Sequence, residues 1–184
     1  NRTVGKASGD YEVKLVDENG NEVVQGQAGE IIVKGIPGKS IMSGYFKNPT
    51  ASAETIRDGW LFTGDNAVLD EQGYFQFIDR RKDMIKRSGE NVSAGEVEDV
   101  ILQHAAVFEC AVIGLPDEIK DESIVAVVVL KSGASLSEDE LIEHCAHKLA
   151  SFRVPQQIVF RESLPKTSVG KIQKHLIREE LMRH

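Results

Sequence analysis

Cys110 and Cys145 are the only cysteines among 184 residues, and neither has a second thiol or a histidine at metal-ligand spacing. A disulfide framework and a zinc site are therefore not expected, and the apolar neighbours of both residues mark them as reduced core thiols. Long hydrophobic runs are also missing. The longest, residues 124–130, is far too short to cross a bilayer, and no stretch reads as a secretory leader, so the cytoplasm is the expected compartment. Positive charge is in deficit, with a formal net charge of -7. That balance argues against a general binder of nucleic acid or anionic membrane, which needs dense positive charge to neutralise phosphates. Any basic site must be local. Internal repeats and low-complexity segments are absent, and the first residue, Asn1, is not a methionine, which points to a piece of a longer protein.

What is present is ordinary for a folded domain: 41% hydrophobic and 28% charged residues. Apolar and polar side chains alternate over residues 11–17, a turn follows at Glu18-Asn19-Gly20-Asn21, and residues 22–24 resume the strand. A second strand is expected over 30–34. Asn48 and Pro49 open a short helix through 56 as N-cap and first helical residue. Alternation returns over 74–78. Residues 1–80 thus read as a small β-rich, barrel-like subdomain. The charged run Asp79-Arg80-Arg81-Lys82-Asp83 suits a surface connection, which places a boundary between 80 and 81. Beyond it, Ser93-Ala94-Gly95-Glu96 and Ser137-Glu138-Asp139-Glu140 are capping boxes for helices to 104 and about 150. Strands are expected over 107–113, 124–131 and 157–160, and a last helix over 173–182. The fold class is α+β, with helices covering one face of a small sheet in 81–184.

Three spots draw attention. Thr63-Gly64-Asp65 sets a carboxylate with two acceptor oxygens beside a glycine at an expected strand end, as a ribose diol would require, although turn chemistry favours Gly-Asp as well. Arg80, Arg81, Lys82, Lys86 and Arg87 cluster cations in an acidic chain, which fits either phosphates or a solvated face. Residues 165–171, Pro-Lys-Thr-Ser-Val-Gly-Lys, form a loop whose Gly170 frees the backbone before Lys171. The spaced glycines of a Walker loop are absent there, so phosphate cradling by backbone amides is not indicated. By composition alone, an exposed structural lysine is the better reading of Lys171.

Taken in order, four segments resemble the adenylate-forming superfamily of acyl-CoA synthetases, luciferases and peptide-synthetase adenylation domains. They are Gly29-Glu30-Ile31 through Gly44-Tyr45-Phe46, Trp60-Leu61-Phe62-Thr63-Gly64-Asp65, Asp79-Arg80 through Gly89-Glu90-Asn91, and Pro165 through Lys171. The resemblance spans nearly the whole chain and implies its C-terminal portion: a subdomain closing a large N-terminal domain, then a mobile C-terminal domain. It implies that Asp65 and Arg80 hold the AMP ribose, that Lys171 is the adenylation lysine, and that Lys82 is the hinge. In a second orientation Lys86 and Gly89 would face the pantetheine of coenzyme A. The family's usual proline before the helix glutamate is absent here, where Ser93-Ala94-Gly95-Glu96 stands, with the Ser93 cap retained.

Gly89-Glu90-Asn91-Val92 resembles the acid-CoA ligase branch. The implied reaction joins a carboxylate and ATP into acyl-AMP and pyrophosphate, then forms acyl-CoA and AMP. More narrowly, Lys34 through Lys39 and Met84 through Ser93 resemble crotonobetaine/carnitine-CoA ligases. Implied partners are a small carboxylic acid, ATP and CoA, with Mg2+ bound mainly outside these residues. No nucleic acid, resident metal or membrane span is expected, and the piece alone should be inactive. An adenylation module serving a carrier protein, a luciferase-like oxidase and a non-catalytic binding module remain the competing readings.

Overall fold

Short polar turns organise the first third of the chain. In the computed structural model, which describes residues 3–183, the strands are β1 (Thr3–Gly5), β2 (Val13–Val16), β3 (Ala28–Lys34), β4 (Ile56–Arg57), β5 (Trp60–Leu69) and β6 (Phe75–Arg80). Asp17 Oδ1 accepts the backbone N–H groups of Asn19 and Asn21 at 2.9 and 2.8 Å, which closes the turn after β2. Asp70 Oδ1 does the same for Gln72 and Tyr74 between β5 and β6. Helix α1 (Pro49–Thr55) starts where expected: Asn48 Oδ1 accepts from Ala51 N at 3.1 Å, with Pro49 in the first turn.

These strands form an antiparallel sheet in the order β1-β6-β5-β3-β2, with β4 on β5. Among the described residues β1 and β2 do not pair, so the sheet is open. The barrel-like expectation is thereby corrected to an open sheet. Its core is small, centred on Leu15, Ala67 and Phe75. One apolar hollow of about 330 Å³, lined by Val4, Val13, Ile31, Val33 and Phe75 among others, stays open to solvent.

The chain divides into two compact units, Asn1–Lys82 and Asp83–His184. The charged run is less of a surface connection than its composition implied. Asp79 is a buried residue of β6, and only Arg81–Asp83 make a short 3-10 turn.

The second unit is built on a hairpin. Strands β7 (Met84–Arg87), β8 (Glu90–Ser93), β9 (Val107–Asp117), β10 (Asp121–Leu130) and β11 (Gln157–Phe160) share a sheet with helices α2 (Ala94–Ile101), α3 (Glu138–Ala146) and α4 (Lys174–Leu181) packed on it. β9 and β10 pair antiparallel from Asp117↔Asp121 to Val107↔Leu130, and β11 joins β10 in parallel. Residues 124–129 of β10 are all buried. A strand whose successive side chains point to opposite faces can bury all six only if both faces are covered. Accordingly Ile124, Ala126 and Val128 pack with Val97, Ile101, Leu141 and Cys145 of α2 and α3, while Val125, Val127 and Val129 pack with Leu164 and Ile177 of α4. Helices thus cover both faces, where one had been expected. Each fully buried aliphatic side chain contributes about 1.5–3 kcal/mol, so β10 dominates this core.

Both capping serines act as their spacing foretold. Ser93 Oγ accepts from Glu96 N at 3.1 Å, and Ser137 with Glu140 forms the complete reciprocal box. The helices stop earlier than 104 and 150 because their ends tighten: Gln103 and His104 bond back three residues, to Val100 and Ile101. Cys110 and Cys145 are free and buried, and burial pushes their thiols up to about 12 and about 11, which leaves them inert as nucleophiles.

Backbone N–H donors hold the turn carboxylates of Asp17, Asp70 and Asp117 below the usual aspartate range, chiefly those of Asn21, Tyr74 and Ile119. A depressed folded pKa contributes stability that is complete above the unfolded value and lost as pH falls through the folded one. Acid titration followed by circular dichroism should therefore show stability falling below about pH 4, and Asp→Asn substitution at these three turns should flatten that fall.

Candidate functional site

Thr63-Gly64-Asp65 lies in the middle of β5, not at its end. Between the pairs Glu30↔Asn66 and Ile32↔Phe62, three residues of β5 face the single residue Ile31. Such a bulge re-aims side chains, and Gly64, at φ +74°, takes the left-handed conformation it needs. The buried carboxylate of Glu30 holds it in place: Oε1 accepts from Gly64 N at 2.9 Å, and Oε2 from Arg81 Nη1 at 3.0 Å. Thr63 Oγ1 donates to Ile31 O at 2.7 Å and accepts from Asp65 N at 3.2 Å. Asp65 then stands opposite Arg80 on β6, with Arg80 Nε 3.5 Å from Oδ1. Both side chains are part-exposed, so this carboxylate and guanidinium form a polar pair open to a ligand. Lys82, the last residue of the first unit, sits in the 3-10 turn after β6.

Lys86 and Gly89 share the β7–β8 hairpin, whose two-residue turn puts Ser88 at φ +51° and Gly89 at φ +82°. A side chain on Gly89 would meet nothing within 4 Å, so the glycine is required by torsion and the space beside it is open. Arg87 is buried at its base. Desolvation lowers its pKa while Asp117 opposes that shift, and its Nη1 finds no hydrogen-bond partner. The hairpin is tied to the tip of β9–β10: Ser88 N donates to Lys120 O at 3.0 Å, and Lys86 N donates to Glu122 Oε2 at 2.8 Å.

Lys171 stands exposed on a different hairpin of the same unit. Gln173 N donates to Pro165 O at 2.8 Å, Lys166 bridges Ile172, Thr167 N donates to Lys171 O at 2.8 Å, and Gly170 turns the tip at φ +81°. The loop runs directly into α4, whose Arg178 meets Glu122 Oε1 at 2.8 Å. One carboxylate, Glu122, therefore joins the backbone of the Lys86 hairpin to the helix that follows Lys171.

The structure brings Asp65 to Arg80 and Lys86 to Gly89, and places Lys171 on a separate hairpin linked to the second pair only through Glu122 and Arg178. Glu30 and Glu122 went unremarked as site residues in the sequence; Glu30 lies within a quoted motif, but no spacing announces a carboxylate whose partners are backbone N–H groups. Among the described residues no three metal-ligating side chains gather, and no helix is long and apolar enough to cross a membrane.

Residues 96–171 match the AMP-binding enzyme C-terminal domain. Over 171 residues, 92% of the chain, the sequence is 44% identical to crotonobetaine/carnitine-CoA ligases of Escherichia coli and Shigella flexneri, of which it covers 33%. The chain thus spans about a third of the length of the curated relatives it matches. Among solved structures, ATP-bound MatB from Rhodopseudomonas palustris is similar at a TM-score of 0.84 and 34% identity, with 97% of this chain and 35% of that one covered. The o-succinylbenzoate CoA synthetase of Bacillus subtilis, in complex with its acyl-adenylate intermediate, is similar at 0.83 and 33%, with 98% and 35% covered.

Substituting Glu30→Gln should cost about 1.5–3 kcal/mol, the range for hydrogen bonds to a charged group. Urea unfolding should register this as a lower midpoint at unchanged slope.

Proposed function

We propose, from the premise that this chain belongs to the adenylate-forming superfamily and carries its AMP-binding C-terminal domain, that it is the C-terminal part of an AMP-forming acid-CoA ligase. The observation that carries the reading is the Lys171 hairpin, which presents the exposed Lys171 side chain from a hydrogen-bonded turn. Adenylation must bring a carboxylate against the α-phosphate of ATP. Two unit negative charges 4 Å apart repel by about 4 kcal/mol at an effective dielectric of 20, and a single cation between them offsets much of that. Asp65 would accept from the ribose hydroxyls through the oxygen not facing Arg80, while Arg80 lies alongside. These donor and acceptor groups fit a nucleotide ribose. The residues do not fit a cation site, so Mg2+ is assigned to the part of the enzyme upstream, and no step here runs through it.

After adenylation the reactive thiol must replace the lysine. The Ser88–Gly89 turn suits that second task, since the space beside Gly89 is open for pantetheine. Lys82 would be the hinge, and its position at the division between the units supports this. The open sheet of the first unit, with its apolar hollow, would pack against the upstream domain. The 44% identity supports crotonobetaine or carnitine as the acid.

In the full-length enzyme, Lys171→Ala should lower acid-dependent ATP–pyrophosphate exchange about 10²- to 10³-fold and spare thioester formation from preformed acyl-adenylate. Equal losses in both half-reactions would remove Lys171 from the adenylation role. Lys82→Pro fixes φ and removes a backbone donor, so it should slow the thioester step more than adenylation. Offering CoA beside a phosphopantetheinylated carrier protein tests the acceptor, and preference for the carrier would favour the rival adenylation-module reading.

A further inference from the structure

Lys171 can only act if its hairpin is aimed, and the hairpin's own hydrogen bonds do not aim it. They link residues 165–173 to one another, which leaves the tip of the turn free to pivot above the packed side chains of Leu164, Ile172 and Ile177. Two ion pairs remove that freedom, one on each side of the tip. Before it, Lys166 Nζ lies 2.6 Å from Glu109 Oε2, and after it Lys174 Nζ lies 2.7 Å from Glu98 Oε1. Both carboxylates are well covered, with side chains 18% and 19% exposed, so solvent screens these pairs less than it does the chain's surface pairs. Glu98 is itself fixed by accepting from Val112 N on β9 at 2.7 Å. Glu109 rises from β9 opposite Val129 of β10. The two clamps therefore refer the lysine hairpin to one rigid strand.

We infer that Glu109 is a positioning residue for Lys171, acting through its ion pair with Lys166; the inference rests on the adenylation role proposed above. Glu109 touches no reacting atom. It sets the direction of the turn from which the Lys171 ammonium extends, and a displacement of about 1 Å at a reacting group can cost on the order of 10²-fold in rate. Adenylation depends on that direction, whereas the thioester step, served by the Ser88–Gly89 turn, does not.

The test uses the full-length enzyme with four variants: Glu109→Gln, Lys166→Met, the exchanged pair Glu109→Lys with Lys166→Glu, and Lys171→Ala as reference. Each single change at the pair should lower kcat for acid-dependent ATP–pyrophosphate exchange about 10- to 100-fold with little change in KM for ATP. Thioester formation from preformed acyl-adenylate should stay within about twofold of the parent. The exchanged pair should recover most of the lost exchange rate, which a variant that merely loosened the fold would not. The inference is overturned if Glu109→Gln leaves exchange intact, if both half-reactions fall together, or if the exchanged pair recovers nothing. Should Lys171→Ala cripple exchange while Glu109→Gln does not, the positioning role fails and the ligase reading stands. Should Lys171→Ala itself leave exchange intact, both fail.

Discussion

The burial of β10 on both faces is the constraint from which the second unit follows. Six consecutive buried residues need apolar cover above and below, and one layer of helices cannot supply both. α2 and α3 take one face. The chain must then return across the sheet through β11 and close the other face with α4, and residues 165–173 are the path it takes to get there. The Lys171 hairpin is thus where it is because Ile177 has to reach Val125 and Val127. The Ser88–Gly89 turn depends on the β9–β10 hairpin from the opposite direction, through Lys120 and Glu122. The Lys171 and Ser88–Gly89 loops thus share one support.

The first unit shows the converse economy. Its core is slight, and its candidate site depends on a single buried carboxylate. Glu30 accepts from the N–H of the Gly64 bulge and engages Arg81, next to the point where Asp65 comes opposite Arg80. The β5–β6 ladder carries its own offset: Asn66 lies opposite Asp79 and Ala67 opposite Phe77, so one extra residue of β6 brings Arg80, where a regular ladder would bring Asp79, opposite Asp65.

Much of this was legible beforehand where the cause is local. Asn48, Ser93 and Ser137 name their helices because a side-chain oxygen three residues from an N–H is sufficient, strand alternation located β2 and β6, and the strands expected at 30–34, 107–113, 124–131 and 157–160 fall on β3, β9, β10 and β11. The misreadings share a non-local cause. Composition made Asp79 a surface residue, yet its place in β6 buries it. Thr63-Gly64-Asp65 carried the marks of a turn, and only pairing with β3 reveals a bulge within a strand. Closure of the first sheet depends on whether β1 meets β2, which no periodicity encodes. For the site, the motif residues were visible as types, while the glutamates that orient them, Glu30, Glu98, Glu109 and Glu122, are ordinary acidic residues until their partners are known.

Gly114 illustrates how such dependence hides. Its φ lies outside the left-handed region, so no torsion demands glycine, but a Cβ there would fall 2.8 Å from the Glu122 carboxylate. The carboxylate has a flexible stem and could step aside at little steric cost, yet in doing so it would release Lys86 N and Arg178 together. The missing methyl on β9 is in effect a reserved parking space: an alanine scan would score it as a mild packing change, while its consequence would surface on β7 and α4.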